Sequence, residues 1–526
     1  MSSSGYDFSQ LFHAHTLAFS PGTTFLVTAY NNRIIIRSTS TLSIVRTFQC
    51  LLPASTSAAY VIDSLQWSSD SMYLLAYASK VQAVWVFGLT ETGDGEGGEM
   101  ARLGGEVEGL AKVEWGKAGR EILAWSDHGL RLTIYDLATG DASCIQYPKS
   151  PLNCHTFSPD GRYLAIVERH GGKDHVGVYD AQAGYRLVRH FALQTIDIQS
   201  LTWSPCGRYL AAVDSALSYS LHIYSPLGPQ LCEFSPNSAT FSADSISFDP
   251  GLGIRTVSWA PGGRWIALGG WDGKVRIVES DGWRCVAVMS WGGKTGTKET
   301  VVWKEPPNWL RETRGHGIVQ FDKIATPASF PSTREDVSKS RGGVTQIAFD
   351  EEATLLLVRL DTQPHVVHIH SFLPDLTSIN PHIKHVASLI MTETVRSAKW
   401  SPKTSKLAIS SRSGGVYFWD ASASWVEEGK ENEETQGGLM EGVGIPSRTD
   451  FAVHDVVFSP DGKALAICDK EQFCLLYDNE VANVSAVWDH GLAHEGLSEV
   501  QEEDEKEFNM ISGFSELPSQ TFAVRA

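Results

Sequence analysis

Between Ile254 and Val278 the chain reads IRTVSWAPGGRWIALGGWDGKVRIV, and its apolar positions change rhythm along the way. Thr256-Val257-Ser258-Trp259 alternates polar and bulky residues, the period-two pattern of a half-buried strand. Pro261-Gly262-Gly263 interrupts it, because proline fixes its own φ and glycine tolerates φ > 0, which suits a tight turn. Trp265 to Leu268 is apolar nearly throughout, as expected of a strand covered on both faces. Asp272-Gly273 is a hairpin signal, and Lys274 to Val278 completes a three-strand meander. One meander cannot bury its own faces, so copies are needed.

The chain supplies them. An apolar-x-aromatic start, a Ser/Ala-Pro-x-Gly turn or a substitute, a Leu-Ala-like strand, a hairpin and a third strand recur throughout. Taking the aromatic as anchor, the copies fall at Phe19, Trp67, Trp115, Phe157, Trp203, Trp259, Phe349, Trp400 and Phe458. Most neighbouring anchors are 42 to 58 residues apart, with one longer gap after Trp259. The third strand often ends in an aromatic-Asp pair: Tyr135-Asp136, Tyr179-Asp180, Trp419-Asp420 and Tyr477-Asp478. A period of this length with four strands per unit predicts an all-β fold, a β-propeller. Nine units consume nearly all of the 526 residues, so one ring of about nine blades is expected over residues 1–490. Tyr6 to Phe12, ahead of the first unit, is expected to supply the outermost strand of the last blade and so remove an open sheet edge.

Three stretches fall outside the repeat. Trp291 to Arg341, within an insert at 291–343, has parts that read as strands (VVWKE from Val301, IVQFDKIAT from Ile318), with loop composition at Pro306-Pro307 and from Thr326 to Gly343. Arg284 to Arg341 carries ten Lys/Arg against six Asp/Glu, a basic segment on an acidic protein. It reads either as a solvated insert or as a docking surface for an acidic partner, with Lys294, Lys298, Arg311 and Arg314 the candidate contacts. An acidic loop at 427–445, including EEGKENEE from Glu427, and an acidic tail at 491–526 read as solvated segments. Thr92 to Glu99 reads as a glycine-rich surface loop whose carboxylates would repel phosphate.

Composition narrows the function. A net charge of -18 argues against a nucleic-acid binder, since phosphate contacts need clustered Lys and Arg. No apolar run is long enough for a membrane helix, and MSSSGYDFSQLF lacks the layout of a secretory signal. Eight scattered cysteines with no C-x-x-C read as reduced thiols. GGKTGT from Gly292 ends like a phosphate-binding loop, but Val288 stands where that motif needs its first glycine. His13-x-His15 and His368-x-His370 place paired imidazoles on one strand face without an evident third ligand, so packing is expected rather than metal. The residues just before the anchors (Asp63, Ser200, Arg255, Asp455) form no converging cage such as a channel-metal hydrolase would need. Asp160, Asp272 and Asp461 sit beside glycine in turns and read as structural. Neither catalytic residues nor cofactors are expected.

Several idioms exceed generic blade grammar: FSQLF near the start, IQYPKSPLNCHTFSPDGRYLAIVERHGGKDHVGVYD with the following LVRHF, GIRTVSWAPGGRWIALGGWDGKVRI, VVWKE, and the late DFAVHDVVF and DKEQFCLLY. With them the chain resembles the WD-repeat-containing protein eight family of centrosomal and spindle-pole WD-repeat proteins. The YPK ahead of a blade and the KD inside a hairpin separate it from other propellers, whereas the acidic loops and tail depart from the family's more compact form. The resemblance implies a non-enzymatic scaffold in the cytoplasm and cytoskeleton, at the centrosome or spindle pole body. Its implied partners are a coiled-coil anchoring protein and a minus-end-directed motor of the kinesin-14 type, and through them microtubules. An initiation-factor-like propeller binding ribosome or RNA is the alternative, opposed by the net charge.

Overall fold

The computed structural model describes residues 5–52, 59–90, 99–104, 109–117, 120–238, 241, 251–294, 300–313, 317–331, 342–373, 380–422, 438–446 and 451–478. Its main compact unit, Phe8–Tyr477, holds nine β-sheets; the remaining unit, Met1–Asp7 with Asp478–Ala526, has residues 5–7 and 478 described. The nine sheets are blades of a WD-type β-propeller, starting at Thr16, Ser64, Leu110, His155, Ser200, Ile254, Val344, Val395 and Asp455. All nine sequence anchors are the last residue of their blade's first strand, as in Thr16–Phe19, Ser64–Trp67 and Val395–Trp400.

The anchors do more than mark the repeat. Trp67 Nε1 donates to the Ala18 carbonyl at 3.2 Å, Trp115 Nε1 to Gln66 at 3.1 Å, and Trp400 Nε1 to Ala348 at 3.1 Å. Trp259 Nε1 likewise reaches Thr202 Oγ1 at 3.1 Å. In each case the acceptor belongs to the residue just before the preceding blade's anchor, so the indole N–H that burial would leave unpaired joins neighbouring blades. The turn after the anchor explains the Ser-Pro-Asp-Gly grammar. Ser459 Oγ accepts from Ala464 N at 2.9 Å and donates to Asp461 at 2.6 Å, while Gly462 takes the positive φ of 73° that the turn requires. The aromatic-Asp pairs end the third strand, and their carboxylates accept the next turn's N–H: Ala138 N to Asp136 at 2.8 Å, Gln182 N to Asp180 at 3.1 Å.

The second strands are the cores of the blades. Trp265–Gly270 is buried at every position, which accounts for its unbroken apolar run. Adjacent blades share their inner faces: Leu123, Trp125 and Ile134 of blade 3 pack on Leu164, Ile166 and Tyr179 of blade 4. Blade 9 reaches blade 1 through Ala466, Phe473 and Leu475 against Leu26 and Leu17. Its outer edge is covered from the N-terminal segment, as the sequence leads one to expect. Phe12–His13 pairs with Phe473 and Gln472, and Ser9 N donates to Leu475 O at 2.9 Å. Tyr477 Oη adds a 2.7 Å bond to Thr39 O in blade 1, so the ring of nine is closed.

The insert departs most from expectation. Its strand Val301–Lys304 pairs parallel to blade 7's outer strand, His382–Ile390, and antiparallel to Asp322–Ile324, while Ile318–Gln320 pairs with blade 8's Leu439–Gly444. The IVQFDKIAT stretch is therefore two short strands on two blades, split at Phe321, which is buried. Beyond Pro306-Pro307 the chain forms a one-turn helix, Trp309–Glu312.

Candidate interaction surface

The insert clasps blades 7 and 8. Glu305, buried just past its first strand, accepts from Trp309 Nε1 at 2.8 Å, Tyr417 Oη at 2.6 Å and Thr392 N at 2.6 Å. Three donors satisfy a carboxylate that burial would otherwise penalise. Trp309 lies on a bed made by two glycines: a Cβ at Gly415 or Gly442 would come within 3.1 or 3.0 Å of its ring. Around it gather Trp303, Phe321, Leu389 and Tyr417.

This anchoring fixes the two described members of the basic set. Arg311 is exposed on the short helix above blade 8. Lys294 is exposed and bridged to Ser329, whose neighbours Ala328 and Phe330 pack on Val302, Val366 and Ile390 of blade 7. The two are held over adjacent blades rather than joined in one cluster. Lys298 and Arg314 lie outside the described residues, as do Glu427 to Glu434 and the acidic tail. The described start of GGKTGT, Gly292 to Lys294, opens no helix: Gly292 O accepts at 3.0 Å from Nε2 of Gln363, which lies in the turn between Leu355–Leu360 and Val366–Leu373.

Both histidine pairs are packing groups. His13 and His15 lie against the Tyr30 ring, at 5.5 and 4.9 Å. His368 and His370 have a third imidazole beside them, His385, which pairs with His370 in the strand register. His370 and His385 stack at 4.5 Å, and His368 is tied to Gln363 Oε1 at 2.7 Å and to Ser388 Oγ at 3.1 Å. Burial holds His368 and His370 well below the usual imidazole range and takes His385 down to about 4, so the stack is neutral near pH 7. Polar groups of the central strands pair with one another across blades: Glu114 with His155 at 2.7 Å, Lys399 with Asp455 at 2.9 Å.

A second surface lies on one rim of the ring. In a four-strand meander the second hairpin and the connection to the next blade emerge at the same end. Leu152, between blades 3 and 4, is 73% exposed; Ile196, between blades 4 and 5, 75%; and Leu217, in the blade 5 hairpin, 80%. The loops bearing them are locked together. Lys149 Nζ spans Asp174 Oδ2 at 3.0 Å and Asp197 Oδ1 at 2.7 Å. Asp214 Oδ1 accepts from Ile196 N and Asp197 N, both at 2.9 Å, and Gly253 N donates to Ala216 O at 2.9 Å. The Lys149 hydrogen bond, foremost, keeps the Asp197 carboxyl below the usual carboxylate range. Lys149 is the last residue of the YPK idiom and Asp174 the second of KD, so the two non-repeat signals meet in one ion pair. Their lack of any place in the blade grammar was the signal; their contact was invisible in sequence, 25 residues apart.

The WD domain, G-beta repeat family matches residues 247–279. The mouse WD repeat-containing protein WRAP73 is 28% identical over 477 residues, covering 87% of this chain and 92% of that protein. An uncharacterized WD repeat-containing protein of Schizosaccharomyces pombe is 22% identical over 240 residues, 45% of this chain and 46% of its own length. Among solved structures, the C-terminal WD40 domain of Sif2 aligns at a TM-score of 0.45 with 12% identity, covering 89% of this chain and 98% of that one. With nine blades and a ring closed by its own N-terminal segment, the chain is a nine-bladed WD-repeat β-propeller similar in sequence to WRAP73.

Proposed function

We propose that this chain is a non-enzymatic scaffold of the centrosome or spindle pole, which binds a coiled-coil anchoring protein and a minus-end-directed kinesin and so helps tether microtubule minus ends. The observation that carries the reading is the similarity to WRAP73 along 92% of that protein's length, together with the YPK and KD idioms that carry the family resemblance. A closed propeller suits the role, because each blade buries both faces and leaves its loops to hold partners in fixed geometry. Leu152, Ile196 and Leu217 offer apolar contacts for one face of an amphipathic helix such as a coiled-coil protein presents. Lys294 and Arg311, over adjacent blades, together with Lys298 and Arg314 of the same insert, are the contacts proposed for an acidic segment of a partner.

The test is affinity purification of the full chain from dividing cells. The coiled-coil and kinesin partners should co-elute with the unsubstituted chain. Leu152→Asp/Ile196→Asp/Leu217→Asp should remove the coiled-coil partner, and charge reversal at the four basic positions should weaken co-elution of whichever partner presents an acidic segment, each without lowering Tm. Co-elution of ribosomal subunits in place of these partners would overturn the spindle-pole reading. Partners retained by both sets of variants would overturn the assignment of surfaces.

A further inference from the structure

We propose that Glu168, His170 and His190, on the rim end of blade 4, form a binding site for a divalent transition cation of the zinc class. Glu168 Oε2 stands 2.8 Å from His170 Nε2 and 3.2 Å from His190 Nε2, and the three ligand atoms lie within 4.8 Å of one another. A tetrahedral zinc ion with ligands at about 2.0–2.2 Å holds them roughly 3.3 Å apart, so these side chains need only small movements to close on one. Two imidazole nitrogens and one carboxylate oxygen suit zinc and its neighbours, whereas calcium and magnesium favour all-oxygen sets.

The fold builds this set from separate strands. Glu168 and His170 lie two apart on Tyr163–His170 and share a sheet face. Glu168 is opposite His175, and His190 is opposite Gly177, on that same face. Gly177 is required: a methyl there would collide with the Glu168 carboxylate and the Tyr179 ring. Tyr179 Oη donates to Glu168 Oε1 at 2.5 Å, which fixes the buried carboxylate and leaves Oε2 to the imidazoles. The first strand of the blade, His155–Phe157, is too short to cover this end of the second. The YPK segment covers it instead, with Pro148 bridged to Glu168, and Lys149 N and Arg169 N donating to Val167 O and Tyr147 O at 2.8 and 3.0 Å. His175 stacks on His190 at 5.1 Å and 12°, placing a fourth imidazole beside the set.

The contrast with blade 7 is instructive. There both ring nitrogens of His368 are taken by Gln363 and Ser388 in a sealed core, whereas the His170 and His190 side chains are 38% and 35% exposed. An ion can enter from solvent, and the position facing outward is left for water or for a side chain of a docked protein.

The experiment uses the purified full chain with cobalt(II) and zinc(II) chlorides as probes. One equivalent of cobalt should give a visible d–d band that zinc abolishes, and zinc should raise Tm. His190→Gln and His170→Gln should each weaken zinc binding at least ten-fold, measured by competition with a chromophoric chelator, and should remove the zinc-dependent rise in Tm. Cys144→Ser/Cys206→Ser, which alters the exposed thiols, should leave both unchanged. Because His190 is partly exposed, its substitution should keep the circular dichroism of the fold, and a binding loss is then read on a folded protein. Equal zinc affinity in the His170→Gln/His190→Gln protein, or loss only in the cysteine variant, would overturn the site and leave a histidine–carboxylate hydrogen-bond cluster only.

Discussion

Replacing Lys149 by Met tests whether the two non-repeat idioms hold the rim together. The Asp174 side chain is fully buried, and Lys149 Nζ at 3.0 Å is its near cation, since Arg169 Nε stands at 3.9 Å. Without Lys149 the carboxylate keeps only the 2.9 Å bond from Ile198 N. A buried charge that loses its partner costs about 3–5 kcal/mol, far more than an exposed pair's ~0–1 kcal/mol. Asp174→Asn keeps the shape and an acceptor for Ile198 N and removes the charge, so Lys149→Met/Asp174→Asn should be less destabilised than Lys149→Met alone. A coupling of about 2 kcal/mol between the two positions is expected from a double-mutant cycle in urea. The Lys149→Met/Asp197→Asn cycle should couple more weakly, because the Asp197 side chain is 44% exposed and solvent screens it. A single Lys149→Met cost below about 1 kcal/mol, or coupling indistinguishable from zero, would show that the pair is incidental to the rim.

Trp309→Ala should destabilise by about 3–5 kcal/mol in denaturant titration, since it empties the bed formed by Gly415 and Gly442 and strips one donor from Glu305; a cost under about 1 kcal/mol would mean that the insert is not a clasp. Among the anchors, Trp67→Ala should cost more than Trp259→Ala, because Trp67 is buried and Trp259 half-buried; equal losses would mean burial does not set the anchors' contribution. The neutral His368–His370–His385 cluster should make the protein acid-sensitive. The folded pKa values are depressed, so stability is present above the unfolded value near 6.5 and lost as pH falls from there toward 4. His385→Gln should flatten the decline of Tm in that window, by roughly 2–3 kcal/mol of pH-dependent stability for a shift of this size.

The repeat was legible because a blade is specified locally. The anchor aromatic, the Ser-Pro-x-Gly turn and the buried second strand all lie within about 25 residues of one another, and each has its own steric or hydrogen-bonding cause. Ring closure through the N-terminal segment followed from the need to cover an open edge, and Phe12 on Phe473 satisfies it. The insert was only half legible. Its apolar VVW and IVQF runs announced strands, yet period-two patterning names no partner, so their division between blades 7 and 8 and the parallel pairing with His382–Ile390 stayed hidden. His368-x-His370 showed two of three clustered imidazoles, because the third is set by a strand register 15 residues away.

The sequence by itself determined the architecture: nine copies of one local grammar admit few arrangements other than a ring that buries every sheet face. It also determined, through its non-repeat idioms, which relatives the chain resembles. Only the tertiary structure decided where those idioms meet. Lys149 on Asp174, Trp309 on Gly415 and Gly442, and His190 beside Glu168 are contacts between residues whose spacing carries no period. Side chains that converge from different strands are chosen by the pairing of whole blades, and that pairing is a property of the closed sheet stack rather than of any stretch of the chain.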